Sequence, residues 1–222
     1  FLPLHHTYES TVGFLYPLAV GASIAYCEGI RHIADNLKDY KVTIMISVPL
    51  LFESMYAKLM KKIEDSGKMK KVQMGLKISN ALRKIGIDKR RELFKEIHAN
   101  FGGCLRMFVA GAAAFDKKTE KGFTDLGIET FQGYGLTETS PVVAVENVKN
   151  RRLGSIGKLF PSYEGKVLDK NEMGIGELAV KGPCVMLGYY NNEEETEKVF
   201  IEKNGQKWYI TGDIVKILPT GE

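Results

Sequence analysis

Gln132-Gly133-Tyr134-Gly135-Leu136-Thr137-Glu138-Thr139-Ser140-Pro141 is the stretch from which the rest of the chain is read. Gly133 and Gly135 flank an aromatic residue, so the backbone can turn tightly and a flat ligand can approach Tyr134. Thr137 and Glu138 follow at once with a hydroxyl and a carboxylate. Oxygen groups of that kind suit a phosphate and its Mg2+. Pro141 then halts any continuing regular element. An ordinary strand-to-loop turn around a buried Tyr134 would use the same glycines.

Upstream, Glu129 to Gln132 predicts a strand that delivers this motif at its carboxyl end. Leu105 to Ala110 predicts a second buried strand, running into the small residues Gly111-Ala112-Ala113-Ala114 that would let a ligand lie against backbone. Between them Asp116 predicts the cap of a helix from Lys117 to Leu126. The β-branched run Val42 to Val48 reads as a parallel strand covered on both faces. Pro49 opens an amphipathic helix with an apolar stripe from Leu51 to Ile63. Arg91 to Phe101 reads as another, ended by Gly102-Gly103. Nearer the start, residues 3–10 read as a loop, Thr11 to Ala19 as a short buried helix broken at Pro17, Ser23 to Cys27 as a buried strand and His32 to Tyr40 as a helix. From Asn147 onward glycines are frequent and strands short: Ser155 to Leu159, Gly165 to Leu168, Gly176 to Lys181, Lys207 to Thr211 and Ile214 to Leu218. Asn192 caps a last short helix. The expected class is layered α/β with a mostly parallel sheet over 1–146, followed by a smaller β-rich, barrel-like module over 147–222. Open α/β sheets place ligands at strand carboxyl ends.

The 222 residues are 44% hydrophobic, enough for a core, and carry a formal charge of +4. No apolar run is long enough to span a bilayer. Cys27, Cys104 and Cys184 are widely spaced; they suggest buried structural thiols in a reducing compartment, with no disulfide frame or zinc site. Phe1-Leu2-Pro3 lacks an initiator Met and a signal region, and the chain reads as the middle of a longer one. Basic residues crowd the stretch 58–95, among them Lys61, Lys62, Lys68, Lys70, Lys71, Lys89, Arg90 and Arg91. A solvated helical face explains them; so would contact with anionic lipid or with the phosphates of a large cofactor. Nucleic acid is disfavoured, because no binding motif is present and no aromatics are interleaved.

Tyr134-Gly135-Leu136-Thr137-Glu138-Thr139-Ser140-Pro141 resembles the central signature of the adenylate-forming, AMP-binding superfamily. Other segments agree in order: Leu2-Pro3-Leu4-His5-His6-Thr7-Tyr8-Glu9, Phe108-Val109-Ala110-Gly111-Ala112-Ala113, Gly176-Glu177-Leu178 through Gly188-Tyr189-Tyr190, and Trp208-Tyr209-Ile210-Thr211-Gly212-Asp213. The first and third of these other segments are closest to long-chain fatty acyl-CoA synthetases. Both sequence regions would then be parts of one large AMP-binding domain. The resemblance implies activation of a long-chain fatty acid with ATP to an acyl-adenylate, then transfer to coenzyme A, releasing AMP and pyrophosphate. It assigns Glu138 to Mg2+, Thr137 to phosphate, and Asp213 to the ribose hydroxyls. Tyr134 stacks on adenine, with Gly111, Ala112, Gln132, Gly133 and Gly135 around it. His6 lines the acyl and phosphate site, whereas His5 reads as a surface loop residue. His32 and His98 read as structural, Trp208 and Tyr209 as packing. Asp125 and Glu129 show no pairing role. The family's phosphate loop with its Lys, and its C-terminal catalytic Lys, are absent from these residues. The chain alone is therefore expected to be inactive and to self-associate through uncovered sheet edges. The alternatives are adenylation of an amino or aryl acid, or a noncatalytic nucleotide-binding fragment. A cytoplasmic location is expected, with peripheral contact to an anionic membrane as a further expectation.

Overall fold

The computed structural model describes residues 2–149 and 151–222. The chain divides into two compact units, Phe1–Gln132 and Gly133–Glu222. The change of sequence texture at Asn147 thus falls fourteen residues after the structural division, because the strand following Pro141 belongs with the second unit.

The first unit opens with a π-helix, Glu9–Leu15, that passes into α1 (Tyr16–Ala19). The expected helix is present, but Leu15, Tyr16 and Leu18 are exposed rather than buried. A 3-10 turn leads into α2 (Ile33–Asp39). Ser23 to Cys27 forms no strand: the segment is irregular and largely exposed, so its apolar residues have no sheet to join. Then come β1 (Ile44–Ser47) and α3 (Pro49–Asp65), with Pro in the first turn. The basic stretch is mostly helical, as α4 (Met69–Lys84), α5 (Arg90–Leu93) and α6 (Lys95–Asn100). β2 (Met107–Ala110) and α7 (Lys117–Asp125) follow. The Asp116 carboxylate accepts from Thr119 N at 2.8 Å, the expected cap.

β3 (Glu129–Gly135) begins in this unit. β1, β2 and the first half of β3 pair in parallel, Ser47 beside Ala110 and Ala110 beside Gln132. Their carboxyl ends are therefore level. The core under them is aromatic: Phe52 and Phe108 lie 4.4 Å apart by ring centroid, Phe108 and Phe123 4.9 Å. Leu105, Ile128 and Phe115 complete it. α7 packs on α3 at Gly122, where a Cβ would fall 2.3 Å from the Tyr56 hydroxyl.

In the second unit β3 continues and pairs antiparallel with β4 (Val142–Val145), which pairs with β5 (Lys158–Leu159). A four-stranded antiparallel sheet follows: β6 (Glu164–Leu168), β7 (Gly176–Lys181), β8 (Phe200–Lys203) and β9 (Gln206–Val215), in the order β6-β7-β9-β8. α8 (Glu193–Lys198) precedes β8, its Asn192 cap accepting from Glu195 N. The two strands expected over 207–218 are one strand, β9, which runs through Gly212 at φ 78°. Trp208 and Tyr209 are buried in this sheet, as packing residues. The three cysteines are free, but none is buried and Cys184 is exposed.

Candidate functional site

The motif emerges from β3 as a knot of short contacts. Leu136 N donates to Pro141 O at 3.0 Å, which folds residues 136–141 back on themselves. Gly135 is required there: a Cβ would sit 1.8 Å from Pro141 O. Gly133 is not, since the nearest atom to its Cβ would be 3.8 Å away. The buried Thr139 hydroxyl donates to Pro141 O at 2.6 Å, and the Tyr163 hydroxyl donates to Thr139 O. Ser140 takes the left-handed conformation at φ 55°. The knot presents Thr137 and Glu138 outward, Thr137 exposed and Glu138 half-buried.

Two of the expected residues meet in this unit. The Tyr134 hydroxyl donates to Asp213 Oδ2 at 2.5 Å, joining β3 to β9. Burial, then the Asp213 carboxylate, raises the Tyr134 phenol well above its ordinary range, so it stays a donor. Asp213 is oriented from its own strand too, its N donating to Thr211 Oγ1 at 3.2 Å while Thr211 donates to Leu178 O at 2.9 Å. The hydrogen bond occupies Oδ2; among the described residues no hydrogen bond to Oδ1 is present.

Glu138 is held by a residue that the sequence reading left without a role. The Tyr189 hydroxyl donates to Glu138 Oε1 at 2.9 Å, and Met186 N donates to Glu138 O at 2.8 Å. Burial first, then the Glu138 carboxylate, pushes the Tyr189 phenol up. The Gly188-Tyr189-Tyr190 segment belongs to one of the ordered motifs, but nothing in its spacing reveals a partner fifty-one residues away. Among the described residues no group of three or more His, Cys, Asp or Glu could hold a metal alone. One carboxylate beside an exposed hydroxyl suits Mg2+ only together with a substrate, since that ion is usually held by one or two carboxylates and substrate phosphates.

The remaining expected residues belong to the first unit. Gly111 lies against the buried Tyr8 ring, 2.9 Å from where a Cβ would be. Ala112 is exposed and adopts φ 69°, a left-handed conformation uncommon for alanine and a store of strain. The Gln132 side chain is buried, and its Oε1 accepts from Phe115 N at 3.0 Å, tying down the far end of the Ala112-containing loop. His6 is exposed. Its Nδ1 accepts from Tyr8 N at 3.2 Å, which leaves the neutral ring's proton on Nε2, an outward donor. His5 and His32 are exposed, and His98 is buried with Nε2 donating to Leu126 O at 2.9 Å.

Asp125 and Glu129 do have partners, contrary to their reading in sequence. Asp125 pairs with Lys121 and Arg83, and Glu129 pairs with Arg90 at 2.7 Å. Arg90 is correspondingly not part of a solvated face. It is buried, with Asp88 and Thr124 O completing its contacts, and it holds the Asp88 carboxyl down to about 2. Arg91 donates to Leu105 O and Gly103 O.

The model of the AMP-binding enzyme family matches residues 1–190. Long-chain-fatty-acid–CoA ligase 6 of Mus musculus is 32% identical over 243 residues, covering 100% of this chain and 33% of that protein. Long-chain-fatty-acid–[acyl-carrier-protein] ligase AEE15, chloroplastic, of Arabidopsis thaliana is 27% identical, covering 98% and 36%. The chain thus spans about a third of the length of the curated relatives it matches. Among solved structures, ATP-bound MatB from Rhodopseudomonas palustris superposes with a TM-score of 0.68 at 22% identity, covering 99% of this chain and 37% of that one. A long-chain-fatty-acid–CoA ligase (FadD1) from Archaeoglobus fulgidus gives 0.69 at 21%, covering 99% and 41%. At these identities the superpositions speak for the fold. With the family model matching most of its length and the signature knot built as described, the chain belongs to the AMP-binding enzyme family.

Proposed function

We propose that this chain is part of a ligase that activates a long-chain fatty acid with ATP and passes the acyl group to coenzyme A. The observation that carries the substrate class is the match to long-chain-fatty-acid–CoA ligase 6 along the whole of this chain. The obstacle to the first step is electrostatic: a carboxylate must approach a polyanion. Groups placed beforehand must offset that repulsion and hold the partners in line. Asp213 Oδ1 is suited to accept from a ribose hydroxyl while Tyr134 fixes the carboxylate through Oδ2. The Tyr134 ring, with Gly133 and Gly135 on either side, offers a face for adenine. Gly111, Ala112 and Gln132 are proposed as further adenine neighbours, and the Thr137 hydroxyl as a phosphate donor. Glu138, steadied by Tyr189, would hold Mg2+, which when bound neutralises phosphate charge. His6, with its Nε2 proton outward, would donate to the acyl carboxylate or the phosphate.

No helix among the described residues is long and apolar enough to cross a membrane. A peripheral contact with anionic lipid, a cytoplasmic setting and self-association of the 222 residues are part of the same proposal. ATP–pyrophosphate exchange by the intact protein across a panel of acids tests the reading. Exchange dependent on palmitate or a similar acid supports it. Exchange with amino or aryl acids and none with fatty acids would overturn it.

A further inference from the structure

Helix α4 has two dissimilar faces, and only one is explained by packing. Met69, Val72 and Leu76 pack against the core of the first unit. At Gly75 the Phe94 ring comes within 3.0 Å of where a Cβ would be. Ser79 is buried, and Arg83 pairs with Asp125 at 3.7 Å. Those residues make the inner side.

The outer side carries Lys70, Met74, Lys77, Ile78 and Ala81, a stripe at helical spacing, with Lys84 at its edge and Ile85 at its end. All are exposed; Met74 is 65%, Ile78 45% and Ile85 70% accessible. An ordinary solvated face would be polar, with acidic residues set three or four positions from the lysines. This helix contains no Asp or Glu at all. Lys70, Lys77 and Lys84 have no carboxylate partner among the described residues, whereas Lys68 and Lys71, to one side, share Glu96. Large apolar groups among lysines of one charge sign, with no carboxylate paired to them, match an anionic headgroup layer. The apolar side chains enter the acyl boundary while the lysine stems reach to the phosphates.

We infer that the outer face of α4, through Lys70, Met74, Lys77, Ile78, Lys84 and Ile85, docks on anionic phospholipid bilayers. This gives the peripheral contact a location, and it stands on the surface of α4 alone, so failure of the adenylation reading leaves it untouched.

Vesicle co-sedimentation tests it, with phosphatidylcholine vesicles containing increasing phosphatidylserine. Binding of the wild-type protein is expected to rise with phosphatidylserine and to fall with salt. Each basic residue near such a surface is worth about fivefold in partitioning, so Lys70→Glu/Lys77→Glu/Lys84→Glu is expected to lose roughly 100-fold or more. Lys117→Glu/Lys118→Glu/Lys170→Glu changes the net charge equally at exposed positions elsewhere; it is expected to retain most binding. Met74→Ser/Ile78→Ser, which keeps every charge, is expected to bind several-fold less. Circular dichroism verifies that each variant is folded. Wild-type binding indifferent to phosphatidylserine, equal loss in the two charge variants, or undiminished binding by Met74→Ser/Ile78→Ser would each overturn the inference.

Discussion

Two glycines two residues apart have opposite structural weight. Both were read in the sequence as giving a tight turn, and only Gly135 does so, because Pro141 O occupies the space a side chain would need. Gly135→Ala is expected to lower stability by about 2–3 kcal/mol, within the range of substitutions that force backbone apart. Gly133→Ala should stay within about 1 kcal/mol of wild type. Denaturant titration of the two variants checks the contrast. Tyr189 is a second residue-scale case. It was legible as part of a motif but not as the partner of Glu138, since that hydrogen bond depends on β7 and the loop beyond it being placed. Tyr189→Phe removes a hydrogen bond to a charged group, worth about 1.5–3 kcal/mol. If the proposed adenylation holds, the Mg2+ concentration for its half-maximal rate in the intact protein should rise roughly tenfold or more. An unchanged Mg2+ requirement would mean that Tyr189 only packs.

At the scale of elements, periodicity and caps were the reliable signals. α3 and α7 lie where their apolar stripe, Pro49 and Asp116 place them, β1 lies in its β-branched run, and β2 within the buried strand expected over 105–110. Ser23 to Cys27 failed because an apolar run reports burial only when a neighbouring strand exists to cover it. Pro141 does not halt regular structure: β4 begins at the next residue, and the run Val142-Val143-Ala144-Val145 is its signal in the sequence. Folding sorts the basic stretch: Arg90 is buried against carboxylates, the exposed Arg91 donates to backbone carbonyls, and α4 keeps its lysines outside. The helix carrying His98 gives a pH prediction. Burial is the main cause that holds the His98 imidazole below its ordinary 6.5, and the nearby Arg91 and Arg90 charges add to it. The folded state then binds fewer protons than the unfolded state. Stability is full above about pH 6.5 and is lost as pH falls through the lower folded value. His98→Gln, which retains a donor for Leu126 O, should flatten that part of the profile. Thermal midpoints of the two proteins from pH 8 to pH 5 would show it; parallel profiles would assign the acid sensitivity to other groups.

At the scale of the whole molecule, the α/β part and the β-rich part were both foreseen, and the family was legible from five ordered segments. Which side chains meet was less so, because Tyr134 and Asp213 lie seventy-nine residues apart on strands of two different sheets and touch only through their side chains. The 222 residues lack the Ser/Thr/Gly-rich phosphate loop and the catalytic Lys that the family resemblance implies. Loss of one preorganised electrostatic donor costs about 10²–10³ in rate, so these residues alone should form no detectable acyl-adenylate from ATP, Mg2+ and palmitate in a single turnover. A rate near that of the intact protein would contradict this. The central claim is that Asp213 and Tyr134 serve a nucleotide. Its most direct measurement is calorimetric titration of the intact protein and its Asp213→Ala variant with ATP and with 2′,3′-dideoxy-ATP. The wild-type protein should prefer ATP by about tenfold or more, one or two charge-assisted hydrogen bonds, and the variant should bind both nucleotides alike at the weaker value. Equal loss of affinity for both nucleotides on substitution, or no wild-type preference, would show that Asp213 does not hold the ribose.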